Sequence, residues 1–113
     1  MIPAKRKVSR DLFKVLMRKG RSYHSAGFSL RVFFGNNDKP AKFSVAVPKK
    51  LEKSAVRRNG IKRRVYGVLH SFLPIARPGS LSAFFIKKKI DARALSGLNP
   101  EIQTILKKSG VIG

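Results

Sequence analysis

Residues 49–72 read KKLEKSAVRRNGIKRRVYGVLHSF, a stretch that combines a strong helical pattern with a high positive charge. Its apolar residues recur with the helical period of 3.6 residues and form a single stripe. The members of this stripe are Ile61, Val65, Val68, Leu69 and Phe72. Ser54 is expected to cap the helix, because its hydroxyl can accept a hydrogen bond from a first-turn N–H. Leu73 and Pro74 are expected to end it, since a residue before proline is pushed out of the helical conformation.

The opposite face of this predicted helix is polar. At about 100° per residue, it carries Asn59, Arg63, Tyr66 and His70. The first sixteen residues of the stretch contain eight Lys or Arg and one acid, Glu52. A solvated basic helix on an ordinary protein is one interpretation. The crowding of like charges instead favours a polyanionic partner, which would offset the self-repulsion.

The composition of the whole chain also indicates a nucleic-acid partner. The 113 residues include 26 Lys or Arg and 5 Asp or Glu, which gives a formal net charge of +21. Such an excess is typical of nucleic-acid-binding proteins. Hydrophobic residues make up 42% and include eight Phe, so the chain has the material for a core that a disordered basic tail lacks. We therefore predict one domain over residues 1–113.

Other protein classes are disfavoured by features that the sequence lacks. It contains no cysteine, which excludes disulfides and fits a reducing cytosol. The first residues show no apolar signal region, and no run approaches the ~20 apolar residues of a membrane span. We expect a cytoplasmic protein that acts without a membrane and requires no protein partner.

The segments around the basic helix predict an α+β fold. Ser9 is expected to cap a first helix that ends at Gly20 and has one apolar side, made by Leu12, Val15, Leu16 and the stem of Lys19. Residues 22–34 and 42–47 alternate as half-buried strands do, and a turn at 35–38 suggests that they form an antiparallel hairpin. Residues 81–86, LSAFFI, predict a central strand that is buried on both faces.

The C-terminal part predicts further helix. Residues 91–96 are expected to form one or two helical turns closed by Gly97, and Asn99, Pro100 and Glu101 are expected to be the N-cap, first residue and first-turn acid of a last helix. Its apolar face is made by Ile102, Ile105 and Leu106. The predicted order is α-β-β-α-β-α, with helices on one sheet.

No catalytic constellation is recognisable in the sequence. The five acids are scattered, and none of them forms a pair suited to acid–base catalysis. His24 and His70 lie far apart and have no cysteine nearby, so we expect no metal ligands. We expect no catalytic residues in this chain.

Residues 58–63, RNGIKR, resemble the RNR signature of the bacterial ribonuclease P protein component, whose pattern runs Arg-Asn-Arg-Ile-Lys-Arg. The flanking segments occur in the order that is usual for the family. They are the basic residues 5–10, RKGRS at 18–22, VPKK at 47–50 and AV at 55–56. The resemblance covers residues 5–108.

The resemblance implies both a fold and a function. The fold is a two-layer sandwich similar to the second domain of ribosomal protein S5, with a left-handed βαβ crossover against the usual rule. The function is that of the protein subunit of ribonuclease P, an endoribonuclease that removes the 5′ leader of precursor tRNA. Its partners are ribonuclease P RNA and precursor tRNA. The RNA and its Mg²⁺ ions perform the hydrolysis, and the protein alone holds no cofactor.

The resemblance also assigns residues to two RNA-binding surfaces. The signature helix and the segment before it bind the catalytic RNA through Lys49, Lys50, Lys53, Arg57, Arg58, Asn59, Lys62, Arg63 and Arg64. A cleft beside the first helix binds the single-stranded leader and precursor tRNA through Lys5, Arg6, Lys7, Arg10, Phe13, Met17, Arg31 and Tyr66. Arginine forks can bind phosphates bidentately, and an exposed phenylalanine can stack on any unpaired base.

Four residues depart from the family pattern. Met17 and Arg31 stand where aromatic residues are usual, Gly60 replaces the second arginine of the signature, and Tyr66 replaces a basic residue. Two other functions also fit the charge and size: a small structural ribosomal protein that binds ribosomal RNA, and a DNA-binding module. The second lacks a helix-turn-helix spacing.

Overall fold

The computed structural model describes residues 6–35, 38–88 and 98–113. This part of the chain forms α1 (Arg10–Lys19), β1 (Arg21–His24), β2 (Phe28–Phe34), β3 (Lys42–Ala46), α2 (Ala55–His70), β4 (Ser80–Ile86) and α3 (Leu98–Ser109). A 3₁₀ turn, Leu73–Ile75, follows α2. The predicted α+β class is confirmed. The helical turns predicted at 91–96, Gly97, and the middle of the predicted turn at 35–38 lie outside the described residues.

The four strands form one sheet in the order β1-β2-β4-β3. Strand β4 pairs antiparallel with β2 and parallel with β3. The predicted hairpin between β2 and β3 is therefore wrong, because β4 lies between them. The alternation of apolar residues identifies which segments are strands, but it does not show which strands pair with each other when they are far apart in sequence. The connection β3–α2–β4 joins parallel neighbours, and its predicted left hand and the likeness to ribosomal protein S5 stay predictions.

The predicted first strand is in fact a hairpin of two strands. Strand β1 pairs antiparallel with β2, and the backbone N–H of Ser25 donates to Phe28 O at 2.9 Å in the connecting turn. The predicted order α-β-β-α-β-α therefore gains one strand. Gly27 lies in this turn, next to the carboxylate of Glu101.

Strand β4 is central, as predicted, and its side chains separate two cores. Phe84 and Ile86 belong to a large cluster with residues of α2 and α3. Leu81 and Ala83 belong to a smaller cluster with Leu16 of α1. Since successive strand residues point to opposite faces, α1 covers one face of the sheet while α2 and α3 cover the other. Helix α1 is thus a third layer that the two-layer prediction did not include.

The apolar stripes of α2 and α3 face the large core as predicted. Val65 and Leu69 of α2 are fully buried, and Phe72 follows them at 7% exposure. The buried residues of α3 are Ile102, Ile105 and Leu106. Burial of such side chains is the main stabilising contribution to folding.

The predicted caps of the first two helices are confirmed. Leu12 N donates to Ser9 Oγ at 3.3 Å, and Arg57 N donates to Ser54 Oγ at 3.3 Å. Helix α2 ends at His70, slightly before the predicted stop. None of the helices in the described ranges is long and apolar enough to cross a membrane.

The start of α3 differs from the prediction. The helix begins at Leu98, so Asn99 lies within it and is not its N-cap. A first-turn acid is expected to interact with the free N–H groups at the start of its own helix, but Glu101 binds another element. Its carboxylate accepts hydrogen bonds from Ser25 Oγ and from the backbone N–H of Gly27, and so ties α3 to the β1–β2 turn.

Candidate nucleic-acid interface

Helix α2 and the turn before it present a dense set of cationic side chains to solvent. Because Val65 and Leu69 fix the buried side of α2, the residues opposite them are exposed. We term the whole set the α2 face: Lys49, Lys50, Lys53, Arg57, Arg58, Asn59, Lys62, Arg63 and Arg64. All of these are exposed except Arg58 and Lys62, which are half-buried. Asn59 and Arg63 lie opposite the buried residues of α2, whereas Arg58 and Lys62 lie on its core-facing flank, so the use of the whole set by the catalytic RNA stays a prediction.

Arg58 also organises the loop before α2. Its Nη1 donates to the backbone oxygens of Glu52 at 3.0 Å and of Lys53 at 2.9 Å. The carboxylate of Glu52 in turn accepts a hydrogen bond from Ser54 N at 3.2 Å. A guanidinium has five N–H donors, so these bonds leave donors for a partner. Arg58 therefore holds the Lys53 loop in place as well as contributing charge to the α2 face.

The chemistry of the α2 face suits a phosphate backbone. Guanidinium forks bind phosphate oxygens bidentately, while lysine ammonium groups act as point charges. Glu52 is the one acid among residues 49–64, which contain the eight cations of this face. It is half-buried, and its carboxylate already accepts a hydrogen bond from Ser54 N. Binding to such a surface releases counterions and therefore weakens steeply with salt.

A second candidate surface lies on the opposite face of the sheet, beside α1. The rings of Phe13 and Phe85 have centroids 6.2 Å apart and an interplanar angle of 57°. The strand register places Ser29 and Ala46 on either side of Phe85. All four residues are only half-buried, and we term them the Phe13–Phe85 surface. Accessible aromatic rings of this kind are suited to stacking unpaired bases.

Phe85 was not identified from the sequence. A continuous apolar run predicts burial on both faces, and every residue of β4 except Phe85 is indeed buried. The adjacent pair Phe84–Phe85 contained the signal, because neighbouring strand residues direct their rings to opposite faces. Only the ring on the α2 side is fully buried.

Two other residues predicted to bind the leader lie near α1. Met17, one turn after Phe13, is 42% exposed. Arg31 donates from Nε to Leu16 O at 3.1 Å and from Nη1 to Ser22 Oγ at 2.8 Å. Arg31 therefore adds a second hydrogen bond to a carbonyl that already accepts from Gly20 N at 2.9 Å, and links the C-terminus of α1 to β1. Its assignment to the leader stays a prediction.

The basic N-terminal segment lies along the outer edge of β3. Arg6 Nε donates to Ala41 O at 2.8 Å, Val8 N donates to Phe43 O at 3.1 Å, and Lys7 forms a parallel bridge with Phe43. Arg10 is exposed at the start of α1. Lys5 lies outside the described residues. Residues 6–8 thus lie at the edge of the sheet, between its α1 side and its α2 side.

The helical pattern predicted that Tyr66 points outward, but in the structure it does not. It is half-buried, its phenol oxygen accepts a hydrogen bond from Val45 N at 3.1 Å, and Lys7 Nζ lies 4.9 Å from its ring centroid. Residue 66 lies on the flank of α2, from which a long side chain reaches the edge of the sheet. His70, on the same predicted face, is exposed.

Within the described ranges, no group of three or more His, Cys, Asp or Glu side chains could hold a metal ion. The functional groups of both surfaces are instead guanidinium, ammonium, amide and aromatic groups. These groups bind phosphates and bases.

Comparisons with known proteins identify the family to which the chain belongs. The family model described as Ribonuclease P matches residues 3–110. A ribonuclease P protein component from Rippkaea orientalis is 27% identical over 104 residues, which cover 88% of this chain and 82% of the relative. One from Pseudanabaena is 25% identical over 113 residues, which cover 99% of this chain and 97% of the relative.

Solved structures show a similar fold. The chain superposes on the ribonuclease P protein of Staphylococcus aureus with a TM-score of 0.81 and 20% identity, covering 98% of this chain and 100% of the other. The ribonuclease P protein of Thermotoga maritima gives a TM-score of 0.73 and 19% identity, with 88% and 91% covered. The arrangement of four strands and three helices is shared with these proteins.

Proposed function

Because the chain belongs to the ribonuclease P protein family, we propose that it assists the removal of the 5′ leader from precursor tRNA as the protein subunit of ribonuclease P. Its partners are ribonuclease P RNA and precursor tRNA. The observation that carries this proposal is the RNR-like motif on α2, with Asn59 and Arg63 exposed, within a family match that spans nearly the whole chain.

The α2 face is proposed to bind the catalytic RNA. Its exposed arginines, Arg57, Arg63 and Arg64, project from a helix whose other side is fixed by the core. The backbone that carries these cations is already ordered, so less backbone entropy is lost on binding phosphates than from a mobile tail. A formal charge of +21 adds long-range attraction to RNA.

The Phe13–Phe85 surface is proposed to bind the single-stranded leader. Stacking on an aromatic ring is tolerant of base identity, as a leader of variable sequence requires. Arg10 and Met17 flank Phe13 on α1, and both are exposed. The two RNAs would thus bind opposite faces of one sheet, with the protein between them.

Hydrolysis is proposed to be the work of the RNA and the Mg²⁺ ions it holds. The side chains of both surfaces can bind and orient phosphates and bases, and none of the predicted site residues is a carboxylate that could act as a general base. The chain would contribute affinity and orientation. A cytoplasmic location is proposed with it, and the absence of cysteine is compatible with a reducing compartment.

The test is 5′-leader cleavage of a precursor tRNA by a bacterial ribonuclease P RNA at low Mg²⁺, with and without this protein. We expect strong stimulation by the wild type and its loss in the double variant Arg57→Ala/Arg63→Ala. The matched control is Lys107→Ala/Lys108→Ala, which removes the same charge from exposed positions at the end of α3 and should still stimulate.

Three outcomes would contradict the proposal. Equal loss of stimulation in both double variants would show that the α2 face acts only through non-specific charge. Tight RNA binding by the wild type without any stimulation would favour the ribosomal interpretation. Cleavage by the protein without added RNA would overturn the assignment of the chemistry.

A further inference from the structure

The N-terminal segment, β3 and α2 meet at Tyr66. The segment is held on the edge of β3 by the hydrogen bonds of Arg6 to Ala41 O and of Val8 to Phe43 O. The backbone at Lys7 and Val8 is therefore held on the edge of β3, and the Arg6 side chain adds a further anchor. The same contacts occupy part of an edge strand that would otherwise expose unpaired backbone groups.

Tyr66 fixes the Lys7 side chain in turn. The phenol oxygen is anchored by the N–H of Val45 at 3.1 Å, which orients the ring against the edge of the sheet. The ammonium of Lys7 lies 4.9 Å from the ring centroid, within the range of a cation–π interaction. The ring accepts no conventional hydrogen bond from this ammonium, so its three N–H groups remain available to another partner.

The position of this ammonium extends a row of charge on α2. Arg58, Lys62 and Tyr66 are spaced four residues apart, so they lie one above another along one flank of the helix. Each step corresponds to about 6 Å of helix rise. All three residues are half-buried. The row would end in an uncharged residue, but Lys7 places a positive charge directly over it.

We infer that Lys7 binds a phosphate of the catalytic RNA, in line with Arg58 and Lys62, and that Tyr66 is the residue that positions it. This inference rests on the proposed function of the α2 face. Lys7 belongs with this face, not with the leader, because Tyr66 projects from α2 whereas the Phe13–Phe85 surface lies on the other side of the sheet. Tyr66 contributes no charge of its own.

The test measures binding of the full-length chain to a bacterial ribonuclease P RNA over a series of salt concentrations. The variants are Lys7→Ala, Tyr66→Leu, their combination, and Tyr66→Phe, which keeps the ring but not the hydroxyl. Lys107→Ala is the control for the loss of one charge. Thermal melts accompany each variant, because Tyr66 also contacts β3.

Lys7→Ala should weaken binding about tenfold, the cost of a charged hydrogen bond, and lower the salt slope by about 1. Tyr66→Leu should reproduce most of both effects although it removes no charge, and the combined variant should be no worse than Lys7→Ala. Tyr66→Phe should retain most of the affinity. Lys107→Ala should change it much less.

Independent, additive losses would overturn the positioning role of Tyr66. A loss for Lys7→Ala no greater than that for Lys107→Ala would overturn the phosphate contact. So would a Lys7→Ala loss seen only when the holoenzyme binds leader-bearing precursor tRNA, measured alongside. If Tyr66→Leu does not fold, the ring-current shift of the Lys7 ε-methylene protons in the free wild type decides the positioning. An unshifted signal would count against it. Failure of the wild type to bind the RNA would instead remove the proposed function itself.

Discussion

The ring of Phe13 on α1 lies 6.2 Å from the ring of Phe85 on β4, at an interplanar angle of 57°. The two residues are far apart in sequence and meet where α1 covers one face of the sheet. Both are half-buried, so each ring contributes to the smaller core and also remains accessible to a partner. This dual position means that a test of leader binding must separate packing from stacking.

Replacing Phe13 by alanine should lower the affinity of the holoenzyme for leader-bearing precursor more than for mature tRNA. The reason is the loss of one base-stacking contact, worth about 1–3 kcal/mol. Phe13→Leu is the matched control, because it keeps apolar bulk against Phe85 but cannot stack as a ring does. The measurement is equilibrium binding of both RNAs by each variant. Equal losses for precursor and mature tRNA would return Phe13 to a purely structural role.

Arg58 and Arg63 should differ in their effects although both are arginines of the RNR-like motif. Arg58 braces the loop before α2 through Glu52 O and Lys53 O, whereas Arg63 is exposed. Arg58→Ala should lower the free energy of unfolding by about 1 kcal/mol and also weaken binding to the catalytic RNA. Arg63→Ala should weaken binding with little change in stability. Urea unfolding and RNA titrations distinguish the two, and identical stability losses would contradict the bracing role.

The local features of this chain were predictable from its sequence. Ser9 and Ser54 are caps because hydroxyl side chains at helix starts have one dominant use, and the stripe containing Val65 and Leu69 specifies the buried side of α2. The RNR-like motif then identified α2 as a candidate RNA interface. Each of these inferences depends on residues within a few turns of one another.

The features that were missed depend on long-range contacts. The alternation of β2 and β3 is compatible with a hairpin, and only the insertion of β4 between them shows otherwise. Tyr66 was predicted to face solvent because helical periodicity contains no information on neighbouring strands. In the structure, the edge of β3 lies within reach of its hydroxyl. The same limit hid the partnership of Tyr66 with Lys7, which comes from the other end of the chain.

Removing the carboxylate of Glu101 should destabilise the fold at the β1–β2 turn. Glu101 accepts hydrogen bonds from Ser25 Oγ and Gly27 N, and Glu101→Ala leaves both donors in a partly buried place. The expected loss is about 1–3 kcal/mol, measured by urea unfolding. Gln103→Ala, at an exposed position of the same helix, should change stability little. A loss for Glu101→Ala no larger than for Gln103→Ala would show that the tie between α3 and the turn contributes nothing.

Gly60 and Gly67 provide a matched pair of positions in α2, because a Cβ at either would meet no atom within 4 Å outside its chain neighbours and the adjacent backbone of its own helix. Alanine at each should therefore raise the free energy of unfolding by about 1 kcal/mol through helix propensity alone. That gain corresponds to about 4 °C in melting temperature for a domain of this size.

Arginine at the same two positions should separate stability from RNA binding. Gly60 lies within the RNR-like motif, next to exposed Asn59, so Gly60→Arg should strengthen binding to the catalytic RNA through an added phosphate contact. Gly67→Arg adds the same charge beyond the motif and should have a smaller effect. RNA titrations at several salt concentrations check both. If Gly60→Arg weakened binding while Gly67→Arg did not, the RNA would have to approach the backbone of α2 at Gly60. Gly60 would then contact the RNA directly, and an arginine at this position would block the contact.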